Sequence, residues 1–400
     1  MKIIVCHNYY QQSGGESQVF SNEVNFLRRN GLEVVEYVRN NDELRGMSQL
    51  SIMRNLFWNP QVYREIKEII RREKPDILHV HNFFPLISPA VFYAARDCGV
   101  PAVAVLNNQR LMCPGSSFTR NEQLCTDCVG NFFAVPGVFR RCYRNSLLYS
   151  MGVASMFMAH RILKTWDKVV SGYITSTEFY KDLFVRHGLP SQKIYVKPHI
   201  VEDPGYAQRD GRYALFIGRL DPEKGSFFLL RVWDMLHKLG CECPLFIRGS
   251  GQCEPEMQSM IKRQKLAGIT FIPPQSREAL VELMRNARFV IVPSRGLYET
   301  FSLVVAEAFA CGIPVVAPRR GVFEEIITDT ETGILFNPDS VDSCVKAVQW
   351  AWEHPRELIE MGKRARRAYE ERYTPEKNYY IFQDIYRSVI SAYQSRRSLL

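Results

Sequence analysis

The chain has 400 residues, 46% of them hydrophobic, with 51 Lys+Arg against 42 Asp+Glu and a net charge of +9. That length predicts two domains, and the apolar content is ample for a sizeable core. The 11 cysteines without a leader argue for thiols in a cytoplasmic chain and against a disulfide framework, and the basic excess favours anionic partners such as a nucleotide diphosphate, an anionic acceptor or a membrane surface. No nucleic-acid motif occurs.

Met1-Lys-Ile-Ile-Val-Cys6 opens a short strand and does not read as a signal peptide. No window reaches about 18 uninterrupted apolar residues, so no membrane span is predicted. Candidate strands are Ile3–Cys6, Leu32–Val35, Asp76–Val80, Ala102–Leu106 and Lys168–Tyr173, separated by helical patterns near 16–30, 60–73, 87–98 and 146–165. Strand and helix alternate, which predicts a parallel, doubly wound α/β domain.

After the first strand, Ser13-Gly14-Gly15-Glu16 opens a helix. Two glycines allow close backbone approach and a helix N-terminus suits phosphate, but the spacing is not the dinucleotide fingerprint, so an NAD site is disfavoured. His79 and His81 alternate at the end of a strand and point to one face; a zinc pair lacks an evident third ligand there, and hydrogen-bonded histidines are the simpler reading. Asn107, Asn108 and Arg110 follow the strand at 102–106. Cys125 and Cys128 have the C-x2-C chelate spacing and Cys113 and Cys142 flank them, so a candidate structural zinc stands beside the alternative of four unrelated thiols. Arg140, Arg141 and Arg144 then lead into an apolar run of 14 residues, read as a buried helix or as a peripheral membrane contact. The stretch Leu44–Trp58 is a second candidate for acceptor or membrane contact.

A polar segment with Pro and Gly, 197–211, predicts the linker. Beyond it Tyr213–Ile217 reads as a strand, followed by Gly218-Arg219-Leu220-Asp221-Pro222-Glu223-Lys224-Gly225. A forked Arg and a point-charge Lys across a turn suit a diphosphate; read alone, the segment is also an ordinary basic loop. Leu245–Gly251 is a strand ending in a glycine turn at Gly249, and Ile269–Ile272 leads into Pro273-Pro274. The apolar run 288–293 predicts a buried strand, with Glu299 in the loop at its C-terminal end and a helix from Thr300 to Ala310. Glu307 lies eight positions after Glu299, about two helical turns in. Two carboxylates beside a helix N-terminus describe a site for a sugar plus a phosphate, although surface glutamates at that spacing are equally common.

Residues 216–225 and 293–318, with 75–85 and 105–142 in support, resemble the retaining glycosyltransferases of family four, the glycosyl transferases group 1. The resemblance implies a GT-B-like α/β fold of two Rossmann-like domains facing a cleft. Residues 1–200 form an acceptor-binding domain with a Cys-rich loop at 107–145; residues 201–378 form a nucleotide-sugar domain; 379–400 form a helix returning to the first domain. It implies that Glu299 approaches the transferred sugar and Glu307 holds the ribose. Gly218, Arg219 and Lys224 meet the diphosphate, with Gly14 and Gly15 near it. Gly249, Pro274, Thr300, Phe301, Ser302 and Leu303 complete the donor site. His81, Asn82, Asn108 and Arg110 line the acceptor cleft.

Asn107 stands where the family carries a histidine. It can hydrogen-bond but cannot hold a proton as imidazolium does. The catalytic set implied is therefore Glu299, Asn107, Arg219 and Lys224. No cofactor is required for catalysis, and no Asp-x-Asp metal motif occurs. The expected partners are a UDP- or GDP-sugar and a glycan, lipid-linked or small-molecule acceptor, at a cytoplasmic or peripheral membrane location. Two alternatives stay open: a catalytically impaired nucleotide-sugar-binding protein, and a nucleotide-sugar epimerase.

Overall fold

The computed structural model describes residues 1–11, 15–120, 123–206, 211–294, 296–297 and 299–398. The chain divides into two compact units, one of 1–116, 126–200 and 375–400, the other of 117–125 and 201–374.

The first unit is built on a six-stranded parallel sheet. Its strands are β1 (Lys2–Tyr9), β2 (Glu33–Asn40), β3 (Ile77–Asn82) and β4 (Ala102–Val105), then β7 (Gly172–Thr175) and β8 (Ile194–Val196), in the order β2-β1-β3-β4-β7-β8. Between β4 and β7 the chain forms a small antiparallel pair, β5 (Thr119–Arg120) with β6 (Gln123–Leu124), which groups with the second unit. β3 is buried along its whole length, as expected for a central strand covered on both faces. The helix Pro60–Glu73 begins where the Asn59 side chain, just ahead of Pro60, accepts from the Gln61 and Val62 N–H groups, and it buries Val62, Ile66 and Ile70 one turn apart. The last helix, Pro375–Arg397, buries Phe382, Ile385, Tyr386 and Val389 against Ile3, Val5 and Ile77 of this sheet.

The second unit has its own six-stranded parallel sheet. β9 (Ala214–Ile217), β10 (Leu245–Arg248), β11 (Ile269–Ile272), β12 (Phe289–Ile291), β13 (Val315–Pro318) and β14 (Gly333–Phe336) lie in the order β11-β10-β9-β12-β13-β14. Its core packs Leu229, Trp233 and Leu236 against Leu245, Ile247, Phe289 and Ile291. The order of strands reverses between β9 and β12. In an open parallel sheet the loops leaving two such strands diverge to opposite faces and leave a crevice at their C-terminal ends, where ligands bind. In the first sheet the corresponding reversal lies between β1 and β3.

Two predicted boundaries are corrected. Residues 165–169 form a wide helical turn that buries Thr165, Trp166 and Val169, so the predicted strand at 168–173 starts only at Gly172. The helix predicted from Thr300 starts at Leu303, because Ser302 is its extended N-cap.

Candidate active site

The loops leaving β9 and β12 carry the residues that the sequence analysis singled out, and they meet. β9 ends at Ile217, and Leu220, fully buried, anchors the loop beyond it. Pro222–Lys224 makes one tight turn, and Gly225 follows in the left-handed region at φ 78°. A side chain at Gly225 would collide with the Pro293 carbonyl at the end of β12, so only glycine lets the two loops approach this closely. The result is a direct ion pair between Lys224 Nζ and Glu299 Oε1, from residues 75 positions apart, with Ser294 Oγ donating to the same carboxylate oxygen at 3.3 Å.

Arg219 is held by two carboxylates, Asp221 at 2.6 Å and Glu223 at 3.2 Å. Both cations predicted to meet a diphosphate therefore carry carboxylate partners already. The Arg219 side chain is 42% exposed, and ion pairs this open contribute ~0–1 kcal/mol. An incoming dianion can displace them at small cost.

The turn after β10 closes on the same loop. The Gly218 and Leu220 N–H groups donate to the Arg248 and Ser250 carbonyls at 3.1 and 2.9 Å. A side chain at Gly249 would strike the Gly218 carbonyl. Pro274 lies in the exposed segment after β11.

The helix Leu303–Cys311 points its N-terminus into this crevice end of the sheet. Thr300, Phe301 and Ser302 are buried ahead of it, and Ser302 Oγ is buried with no hydrogen-bond partner among the described residues. The leading N–H groups belong to Leu303 and Val304, a turn later than the sequence suggested, and carry the positive end of the helix dipole. Glu307, one turn further, is partly buried; burial pushes its carboxyl up to about 7, opposed by the Arg277 guanidinium. A carboxylate so desolvated gains from hydroxyl donors.

In the first unit the predicted residues separate into two groups. His81 and Asn82, expected along the acceptor cleft, are buried. His81 Nε2 lies 2.9 Å and His79 Nε2 3.4 Å from Glu23 Oε1, with the two imidazoles stacked at 4.7 Å. Lys197 Nζ reaches Glu23 Oε2 at 3.1 Å, and Tyr386 OH bonds His79 Nδ1 at 2.5 Å. Burial alone raises the Glu23 carboxyl, but Lys197 and His81 outweigh it and hold it well below its usual range. Burial brings His79 down to about 3. Asn82 Nδ2 donates to the Asn8 carbonyl at 2.7 Å.

Glu23, His79 and His81 are the only His/Cys/Asp/Glu triple among the described residues with ligand atoms close enough for a metal ion. Glu23 is the third group that the histidine pair lacked in the sequence. Lys197 already balances its charge, so the donor set fits a closed ion pair better than a divalent cation. The cysteines expected to hold zinc form no such group: Cys113 and Cys128 are at least partly buried, Cys142 is exposed, and Cys125 groups with the other unit. Cys142 packs against Gly115, and Cys128 Sγ and Pro114 pack against Gly137, so these stretches adjoin, but no three of the four present ligand atoms close enough for a metal ion.

Asn108 and Arg110 remain partly exposed, and a residue without an assigned role joins them. Glu16 accepts from Asn108 Nδ2 at 3.5 Å. Burial raises its carboxyl, opposed by Arg110, Asn108, His81 and Tyr10. Its signal in the sequence was its place directly after the Gly-Gly turn. The Arg110 guanidinium lies over the Phe84 ring at 4.2 Å and the Tyr143 ring at 5.4 Å. Asn107 is partly buried just past β4. Gly15 begins the helix Gly15–Arg29, while Gly14 lies outside the described residues. Nearby, a cavity of about 200 Å³ is walled by Phe132, Phe157, Met158 and Trp166, with Arg161 and Lys164 among its lining residues.

A strand-order reversal with paired cations, two carboxylates and a helix N-terminus marks the crevice where ligands bind in open α/β sheets. Comparison with known proteins makes this specific. Residues 11–203 match the model of Glycosyltransferase Family 4 and residues 204–368 that of Glycosyl transferases group 1. The chain belongs to this glycosyltransferase family and has the GT-B fold. It is 22% identical over 343 residues, 84% of both chains, to the uncharacterized glycosyltransferase MJ1178 of Methanocaldococcus jannaschii. It is 38% identical over 128 residues, 32% of this chain and 28% of the relative, to D-inositol 3-phosphate glycosyltransferase of Mycobacteroides abscessus. It superposes on Anabaena Alr3699/HepE, solved in complex with UDP-glucose, with a TM-score of 0.68 at 16% identity, over 98% of this chain and 100% of that one. The protein is a glycosyltransferase that takes its sugar from a nucleotide sugar.

Proposed function

We propose that the chain is a retaining glycosyltransferase whose second unit holds a UDP- or GDP-sugar and whose first unit presents the acceptor. The observation that carries this is the meeting of Lys224 with Glu299 at the point where the strand order reverses. In that reading, a diphosphate draws Lys224 and Arg219 away from their carboxylates. Glu299, released, accepts from the sugar hydroxyls, and Glu307 accepts from the ribose.

Transfer with retention builds negative charge on the leaving diphosphate. Arg219, Lys224 and the N–H groups of Leu303 and Val304 supply fixed positive charge there, which supports catalysis without a divalent ion. The donor phosphate oxygen itself takes the acceptor proton, so Asn107 has only to orient. The cavity with an apolar wall and a cationic edge favours, among the acceptors, one that joins an apolar part to an anionic one.

The test is release of UDP or GDP from a panel of nucleotide sugars, with the anomeric configuration of the product followed by NMR. One donor turned over with its α or β configuration kept, and abolished in Glu299→Ala, is the expected result. Inversion overturns retention. Donor binding with no release, restored only by Asn107→His, favours the impaired binding protein instead.

A further inference from the structure

The helix Leu147–Ile162 follows directly on the Cys-rich stretch and carries no charged side chain before His160 and Arg161. A helix of this kind is normally buried all round. Here one side is buried, through Val153, Ala154 and Met156, and the first two turns of the other side are open. Leu147, Leu148 and Met151, at i, i+1 and i+4, are 43%, 52% and 43% exposed.

The neighbouring elements extend the apolar face. The short helix Val135–Phe139 packs on this one and leaves Phe139 77% exposed. The helix Gln49–Phe57 packs on it through Met53, which a side chain at Gly152 would strike, and leaves Leu50 82% exposed. Large apolar side chains this open, gathered on packed elements, mark a contact surface.

The same face carries fixed positive charge. Arg140, Arg141 and Arg144 occupy the loop leading into the helix, and all three are exposed. That loop is tied to the helix, since the Tyr143 N–H donates to Ser150 Oγ at 2.9 Å. Arg140 pairs with Asp127, but Arg141 and Arg144 have no carboxylate within ion-pair distance among the described residues, nor does Arg54 beside Leu50.

Apolar residues to enter the acyl boundary, ringed by arginines to meet phosphate headgroups, are the two components of interfacial binding. We propose that this face of the first unit docks on an anionic lipid bilayer surface. A second copy of the chain is a poorer occupant. In a two-fold contact the patch meets itself, and Arg141 and Arg144 would face like charges. No helix among the described residues is long and apolar enough to cross a membrane, so the contact lies on the surface.

Co-sedimentation of the full chain with phosphatidylcholine vesicles, with and without ~30 mol % phosphatidylglycerol, tests this. The expected result is binding to the anionic vesicles only, weakening as salt rises from ~0.05 to ~0.5 M. Leu148→Ser/Met151→Ser and Arg141→Glu/Arg144→Glu should each lower the bound fraction at least ~10-fold. Both variants should keep the wild-type circular dichroism spectrum and nucleotide release. Equal binding to neutral vesicles, binding unchanged in both variants, or no binding overturns the proposal. So does a dimer in light scattering that Leu148→Ser/Met151→Ser dissociates.

Discussion

Each unit has a Glu–Lys pair close to its sheet, and the two pairs are opposites. Glu23 and Lys197 are 4% and 2% exposed and form a closed set with His79, His81 and Tyr386. Glu299 and Lys224 are 12% and 19% exposed and lie in the loops after β12 and β9, the first leading into the helix Leu303–Cys311 and the second also carrying Arg219. In the first pair both Glu23 oxygens are taken, by Lys197 and the histidines, and a deeply buried pair of this kind contributes mainly to structure. The second pair is less deeply buried and lies at the loop end of its sheet, where a ligand can reach it and take over its charge. The same two residue types therefore serve architecture in one unit and chemistry in the other.

The widest contrast comes from breaking the pairs. Glu23→Gln or Lys197→Met alone should destabilise the protein by about 3–5 kcal/mol in chemical denaturation, since each strands a buried charge. The double variant Glu23→Gln/Lys197→Met should lose less than the sum. Glu299→Gln should do the reverse. Nucleotide release should fall ~10²–10³-fold, while stability falls by less than in the Glu23 and Lys197 variants, the Glu299–Lys224 pair being the less deeply buried of the two. Large unfolding in Glu299→Gln with residual turnover would break the comparison.

Next in size is Gly225→Ala, which forces a Cβ into the left-handed region and against Pro293. It should cost about 1–3 kcal/mol and weaken donor binding by isothermal titration, because it separates Lys224 from Glu299.

The remaining effects appear only over part of the pH range and have opposite signs in the two units. Glu307, raised to about 7 by burial, binds its proton more tightly folded than unfolded. Its contribution to stability is thus present at low pH and lost as pH rises from the unfolded carboxyl range through about 7. Glu307→Gln should flatten this part of the thermal-denaturation profile and raise stability near pH 8 by about 1–3 kcal/mol. His79 and His199 are lowered to about 3 by burial, so they bind protons less well folded. Their contribution is present above the unfolded histidine range and declines as pH falls from it toward about 3. A first-unit pH slope unchanged in His79→Phe would remove that assignment.

Much of the architecture was legible in the chain. Apolar runs four to six residues long, broken by amphipathic helices, specify parallel strands because both sheet faces must be covered. The run 102–106 and the helix 60–73 appear in the structure almost residue for residue. Boundaries failed where side chains overrode propensity. Lys168 and Val169 look like strand residues but are drawn into a turn that buries Trp166, and Thr300 and Phe301 look helical but are held extended ahead of the Ser302 cap.

The sites were legible only where residues close in sequence act together. Arg219 and Lys224, or Glu299 and Glu307, advertise charge at loop and helix spacing. By itself the sequence determined that chemistry, the α/β class and the family resemblance. Tertiary structure decided which charges are open and which are closed. It put Glu23 between His79, His81 and Lys197, and brought Tyr386 onto His79 from 307 positions away. Burial and pairing depend on what the rest of the chain packs above each group, and that is set by the order of strands in the sheets and not by any local pattern.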